Sequence, residues 1–276
     1  MNEEATVTSE ENIKEVVKER YARIAEKSDE LKGSSCCGSG PCECGEYTVF
    51  SDDYSQLEGY AADADLGLGC GLPTEYARIK AGDVVVDLGS GAGNDVFVAR
   101  SLAGDSGRVI GVDMTETMVE KARQNNEKLG YRNVEFVLGE IEDLPIHDAS
   151  TDVIISNCVL NLVPDKPRAF RQIYRVLKPG AHFTVSDVVL TAELPSPLRS
   201  AAEMYAGCVA GAIMLDEYLA IIQGAGFVDI VVLTQKPVSV PDEMLERYLS
   251  HDETSAFKRS GSPLKSVTVS ATKPAQ

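Results

Sequence analysis

The run Val84-Val85-Val86-Asp87-Leu88-Gly89-Ser90-Gly91-Ala92-Gly93-Asn94-Asp95 decides how this chain is read. Three β-branched residues predict a short buried strand, and an acid and three alternating glycines follow at once. Glycine lets a backbone turn sharply and come close to a ligand. Asp95 to Leu102 has helix-forming content and would offer free N–H groups at its start. In nucleotide-binding sheets an acid about 20 positions beyond the glycines takes ribose hydroxyls. Asp113 stands there, closing a second apolar strand, Arg108-Val109-Ile110-Gly111-Val112.

A glycine-rich loop is shared with NAD-dependent enzymes, so it does not choose the ligand by itself. Asp87, two residues before Gly89, does. A carboxylate facing the loop repels a pyrophosphate but suits the ammonium and sulfonium of S-adenosylmethionine. The sequence has no Gly-Lys-Ser/Thr triplet, which excludes a Walker-type phosphate loop.

Outward from this stretch the pattern alternates. Strands are expected at 83–88, 108–113, 133–138, 151–156 and 180–187, and helices near 94–103, 115–129 and 167–177. Lys178-Pro179-Gly180 is read as the stop of the last of these helices. Two later β-rich runs, Phe227 to Leu233 and Ser266 to Ser270, complete a sheet of seven strands, one of them antiparallel. Segment 190–225 reads as helical, and Pro237 to Gly261 as loop with a short helix. The expected fold is α/β, a mainly parallel sheet with helices on both faces. Thr8 and Glu11 resemble a capping box for an amphipathic first helix reaching about Lys32, with Val17, Tyr21 and Ile24 on its apolar face. It either docks on the core or forms a lid in which Tyr21 meets the cofactor. The chain divides into an N-terminal helix and Cys-rich arm (1–69), a cofactor-binding core (70–189), and an insertion with the closing strands (190–276).

With 276 residues, the chain is near the upper size for one core. Its net charge of −17 argues against nucleic acid or an anionic membrane as a partner, since both select basic patches. The start is acidic and no apolar run reaches the length of a membrane span or signal peptide. A cytoplasmic monomer is expected. Seven cysteines, an odd number, do not read as a disulfide scaffold in such a chain. Cys36, Cys37, Cys42 and Cys44 lie in a Gly/Ser/Pro-rich stretch whose spacing fits no zinc pattern. A soft-metal collecting segment, a redox pair and a disordered tail all fit it.

Ligands on such sheets sit beyond the carboxyl ends of the strands. The fourth strand ends in Ser156-Asn157-Cys158. None of His147, His182 and His251 falls at a strand's carboxyl end, so a histidine base is not expected. Asn157 is either a cofactor or substrate contact or a plain turn residue. The strand end does offer a thiol. Cys158, Cys208 in the inserted segment and Cys70 between two glycines would meet if 190–225 folds over that edge. Three soft thiolates suit a soft ion.

Leu66-Gly67-Leu68-Gly69-Cys70-Gly71, Ser156 to Lys166 and Tyr205-Ala206-Gly207-Cys208-Val209-Ala210-Gly211 resemble the arsenite S-adenosylmethionine methyltransferases, which are class I Rossmann-like enzymes. The resemblance runs from about Cys36 to Phe227. It implies arsenic(III) ligation by Cys70, Cys158 and Cys208, with a further ligand among Cys36, Cys37, Cys42 and Cys44. It also implies cofactor contacts at Asp87, Gly89, Ser90, Gly91, Gly93, Asn94, Asp113, Met114 and Asn157, with Glu140 and Ile141 at the adenine amino edge. Glu142 and Asp143 are expected to be solvated.

In the mechanism this implies, a pyramid of three thiolates leaves the arsenic lone pair pointing away from the sulfurs. Methyl transfer is then an in-line displacement that requires positioning but no base. Thiolates must be deprotonated to bind, so activity should rise with pH. An external thiol of the glutathione or thioredoxin type would regenerate the enzyme. Two rivals are a methyltransferase for a small organic acceptor, such as a quinone or lipid precursor, and a non-catalytic thiol-based metalloid-binding protein.

Overall fold

In the computed structural model, residues 10–31, 52–200, 211–240, 242–259, 261 and 263–276 are described. The glycine-loop strand forms as expected, β1 at Val84–Leu88, followed by a helix at Asn94–Ala103. Consecutive β1 residues are buried on opposite faces. Val85 packs with Val96, Phe97 and Val109, and Val86 with Ile110, Ile154 and Phe170. A strand apolar on both sides is what a sheet covered on both faces requires.

The other strands are β2 (Arg108–Asp113), β3 (Val134–Leu138), β4 (Thr151–Asn157), β5 (Leu177–Leu190), β6 (Val228–Pro237) and β7 (Leu264–Thr272). Their order is β3-β2-β1-β4-β5-β7-β6. β1 pairs in parallel with both β2 and β4, so the chain order reverses beside it and opens a crevice at the carboxyl ends. β7 runs antiparallel to both β5 and β6, the single reversal expected. β6 is at the edge and pairs only with β7 among the described strands.

Two details differ from expectation. The helix Lys166–Val176 stops at Val176, and β5 begins at the next residue rather than at 180. Leu177 pairs with Thr151, and the register then slips before Val153 pairs with His182. Lys178-Pro179-Gly180 is thus carried at an irregularity, where a proline without an N–H and a glycine at φ 79° fit. Between β6 and β7 the described residues form two helices, Asp242–Tyr248 and His251–Arg259, rather than one. In the 190–225 segment the described helices are Ser196–Ser200 and Leu215–Gly224.

The first helix spans Glu10–Leu31. Val17 is buried in the cluster that holds Cys70 and Cys158, and Ile24 and Ala25 pack on Met118. Thr8 and the four cysteines from Cys36 to Cys44 lie outside the described residues, as does Cys208. No described helix is long and apolar enough to cross a membrane.

Candidate active site

The glycine loop is bonded to the end of the neighbouring strand. Gly89, at φ 70°, and Ser90 both donate their N–H to the Val112 carbonyl, at 2.7 and 3.1 Å. A Cβ on Gly89 would stand 2.6 Å from Val159 Cγ1, so the close approach excludes any side chain. Asp113 Oδ2 accepts the Gly91 N–H at 2.9 Å, and its Oδ1 accepts the Thr115 N–H at 2.8 Å. Asp113 therefore shapes the loop as well as facing the space beyond it.

That space is a cleft open at its mouth, with about 1150 Å³ of empty space when the adjoining solvent is included. Every residue expected to touch the cofactor lines it except Gly93. Gly93 instead enters the Asn94–Ala103 helix in the left-handed conformation, at φ 99°, where a Cβ would stand 2.8 Å from Phe136 Cζ. Ser90 Oγ and Asn94 Oδ1 are buried and make no hydrogen bond among the described residues. Buried orphans of this kind await a ligand or water.

The cleft floor is acidic. Burial raises the Asp87 carboxyl well above the usual range, and the nearby Asp95 and Asp113 carboxylates raise it further. Burial raises Asp95 to about 6, against the hydrogen bonds from Asn157 and Tyr54 that hold it down. Asp113 is likewise raised by burial, opposed by the N–H groups it accepts. A cation would relieve all three at once. The ammonium and sulfonium of S-adenosylmethionine would supply that charge, and the orphaned Ser90 Oγ and Asn94 Oδ1 could take polar hydrogens from it. The residues present fit this cofactor.

At the other end of the cleft Lys14 bridges Glu140 and Glu142, at 2.7 and 2.6 Å. Lys14 is raised: burial disfavours its charge, but the two carboxylates outweigh it. Glu140 is lowered, chiefly by its hydrogen bond to Lys14. Glu142 was expected in solvent and is instead buried, its side chain 7% exposed. A cation from the first helix, far away in sequence, makes that burial tolerable. Asp143 is exposed, as expected.

The thiol end is built on the last residues of β4. Cys158 follows β4 at φ 60° and donates its N–H to the Ser186 carbonyl at 2.8 Å. A non-glycine residue in this conformation is uncommon and costs about 1–2 kcal/mol. Cys158 lines the cleft; Cys70 does not, although the residue before it, Gly69, does. Both cysteines are thiols, both are buried, and both belong to one cluster with Val17, Leu162, Val188 and Leu190. Two of the three expected sulfurs therefore share a cluster, while Cys208 lies outside the described residues.

Asn157 is more than a turn residue. Its Oδ1 accepts the Cys70 N–H at 3.0 Å, and its Nδ2 donates to the Gly71 carbonyl at 2.8 Å and to Asp95 Oδ2 at 3.1 Å. Tyr54 Oη donates to the Asp95 carboxylate at 2.9–3.0 Å and lies against Asn157 Nδ2. Tyr54, Lys14 and Asp95 all line the cleft, and sequence reasoning assigned none of them a role there. Asp95 had a signal, an acid opening a helix just after the glycine loop. Among the described residues no histidine lines the cleft. His182 lies near the start of β5, its Nε2 against the Ala77 carbonyl at 2.7 Å.

Comparison with known proteins follows the same lines. Residues 79–226 match the model of a methyltransferase domain family. An arsenite methyltransferase of Halobacterium salinarum is 41% identical over 96% of this chain and 68% of its own length. One from Aquipseudomonas alcaligenes is 35% identical over 85% of this chain and 68% of its own. Among solved structures, an arsenic(III) S-adenosylmethionine methyltransferase from Chlamydomonas reinhardtii superposes with a TM-score of 0.60. It has 34% identity, over 75% of this chain and 67% of that one. An acid-floored cleft at the switch point of a Rossmann-like sheet, two buried thiols at its edge and these relatives lead to one assignment: the chain belongs to the arsenite methyltransferase family of S-adenosylmethionine-dependent enzymes.

Proposed function

We propose that this protein transfers methyl groups from S-adenosylmethionine to arsenic(III) held by its own thiolates, giving methylated arsenicals. The observation that carries the reading is the burial of Cys70 and Cys158 in one cluster at the edge of the acidic cleft. Bound S-adenosylmethionine supplies an electrophilic methyl group on a sulfonium. Asp87 and Asp95 balance its positive charge, Asp113 holds the ribose, Met114 packs on the adenine, and Glu140 and Ile141 border its amino edge. Cys70, Cys158 and Cys208 hold arsenic(III) in a pyramid, so its lone pair would serve as the nucleophile with no side-chain base. The methyl–sulfur bond would break to leave S-adenosylhomocysteine, arsenic would rise to the +5 state, and two thiolates would return the electrons by closing to a disulfide that the external thiol reduces. The absence of histidine from the cleft lining, among the described residues, suits that chemistry.

The upstream cysteines, Cys36, Cys37, Cys42 and Cys44, capture arsenic or act in thiol exchange, and an external thiol of the glutathione or thioredoxin type restores the enzyme. The same proposal keeps the division into arm (1–69), core (70–189) and insertion with closing strands (190–276), and a cytoplasmic monomer. Purified protein incubated with labelled S-adenosylmethionine, arsenite and glutathione tests it by arsenic speciation. Methylated arsenic is expected. Its absence, with turnover on an organic acceptor or with stoichiometric arsenic binding alone, would transfer the assignment to one of the two rivals.

A further inference from the structure

The peptide of Cys70 is fastened to the sheet from both sides. Its N–H donates to Asn157 Oδ1 at 3.0 Å, and its carbonyl accepts a hydrogen bond from Ser266 Oγ. Asn157 ends β4 and Ser266 lies on β7, with β5 between those strands in the sheet. The next carbonyl, that of Gly71, accepts from Asn157 Nδ2 at 2.8 Å and lies 3.1 Å from Tyr54 Oη. The flanking glycines make the approach possible. A Cβ on Gly69 would stand 2.6 Å from Asn157 Nδ2, and one on Gly71 would stand 2.6 Å from Ser186 Cβ.

Neither side-chain bond belongs to a strand ladder. The Asn157 backbone already pairs with Ser186 across β4 and β5, and Ser266 pairs with Val188 across β7 and β5. Both side chains bond one short segment outside the sheet, the segment that carries Cys70, and Asn157 Nδ2 reaches Asp95 as well. Asn157 is also the residue before Cys158, so one strand end holds both cysteines, one by the main chain and one by a side chain.

We infer that Asn157 and Ser266 are positioning residues that hold the Cys70 thiol at a fixed separation from Cys158, so that the pair closes on one arsenic(III) atom. This deepens the proposed function and rests on it. When one thiol has bound a metalloid, closure by the second depends on its effective concentration. A backbone pinned at both its N–H and its carbonyl keeps that concentration high, and an unpinned one lets the thiol wander. A reagent that takes one thiol at a time gains nothing from the pinning. Two-point capture and one-point alkylation therefore separate this role from a general loss of structure.

The test follows iodoacetamide alkylation of Cys70 and Cys158 in the full chain by peptide mass spectrometry, with and without arsenite and with no cofactor added. Ser266→Ala, which removes one hydrogen bond to the segment, and Asn157→Ala, which removes two, are each expected to raise the arsenite concentration that half-protects Cys70 by about tenfold or more. Alkylation of Cys70 without arsenite should be unchanged or faster. Ser266→Thr keeps the hydroxyl and should be protected as the parent is. Ser266 does not line the cleft, so its effect is independent of cofactor contacts. Half-protection within twofold of the parent in both alanine variants overturns the inference, as does Ser266→Thr behaving like Ser266→Ala. If Asn157→Ala has no melting transition, Ser266→Ala decides alone. If neither has one, the two bonds support the whole fold and the inference falls. Should arsenite fail to protect Cys70 in the parent, the proposed function itself fails.

Discussion

Replacing Asp187 with asparagine removes an ionisable group from the interior while keeping the shape and one acceptor oxygen. Asp187 lies on β5, is 1% exposed, accepts the Tyr218 hydroxyl at 3.2 Å and its neighbour's N–H at 3.0 Å, and has Lys166 nearby. Burial raises its carboxyl from 3.8 to about 7 even with Lys166 pulling it down. A carboxyl raised in the folded state is protonated there while the unfolded chain has already lost its proton. Stability from this group is then complete below the unfolded value and is lost as pH rises toward the folded one. Between pH 5 and pH 8 about two pH units of that gap are crossed, at about 1.4 kcal/mol per unit, or roughly 3 kcal/mol. Asp187→Asn does not lose it. Denaturant unfolding of both proteins across this range should show the variant gaining about 3 kcal/mol on the parent as pH rises, or roughly 6–12 °C in Tm. The absolute offset depends on the hydrogen bonds asparagine retains, but the difference in slope does not. Parallel stability curves from pH 5 to pH 8 would refute the reasoning.

Lys14→Met leaves Glu142 buried without its cation; with Lys14 and Glu140 partly exposed, a loss of about 1–2 kcal/mol is expected in denaturant unfolding. Because Glu140 is lowered by Lys14, that loss should shrink as pH falls and the carboxylate takes a proton. Asp113→Ala releases the Gly91 and Thr115 N–H groups it accepts, and calorimetry should show S-adenosylmethionine binding weakened about ten- to a hundredfold. Cys70→Ser and Cys158→Ser should each abolish methylated arsenic in speciation assays while changing cofactor affinity by less than about threefold; activity in both would remove them from the reaction.

What the sequence made legible was local. The glycine loop, its strand and Asp113 lie within thirty positions of one another, and backbone chemistry at each position dictates the turn. Glu142 could not be read in that way. Its partner Lys14 is on the first helix, and an acid in an acidic stretch reads as solvated until the cation is placed beside it. The Ser266 hydroxyl was silent for the same reason, since its partner is 196 residues away. Tyr54 and Asn157 meet across 103 residues, in a stretch before β1 that shows no periodicity. The start of β5 was obscured by Pro179-Gly180, which stops helices but is also tolerated where a ladder slips. The pairing of Cys70 with Cys158 was suggested by strand-end placement and made specific by the family resemblance.

The first helix joins the two ends of the cleft. Lys14, Val17 and Tyr21 recur at helical spacing on one face, and all three line the cleft. Lys14 holds the carboxylates at the end assigned to adenine, and one turn later Val17, 2% exposed, packs into the cluster with Cys70 and Cys158. A charged contact and an apolar contact on one rigid element thus tie the two ends to the same helix. That arrangement suits a reaction between a sulfonium and thiolate-bound arsenic. Charges attract more strongly when water is kept out, and excluding it also protects a methyl donor from hydrolysis.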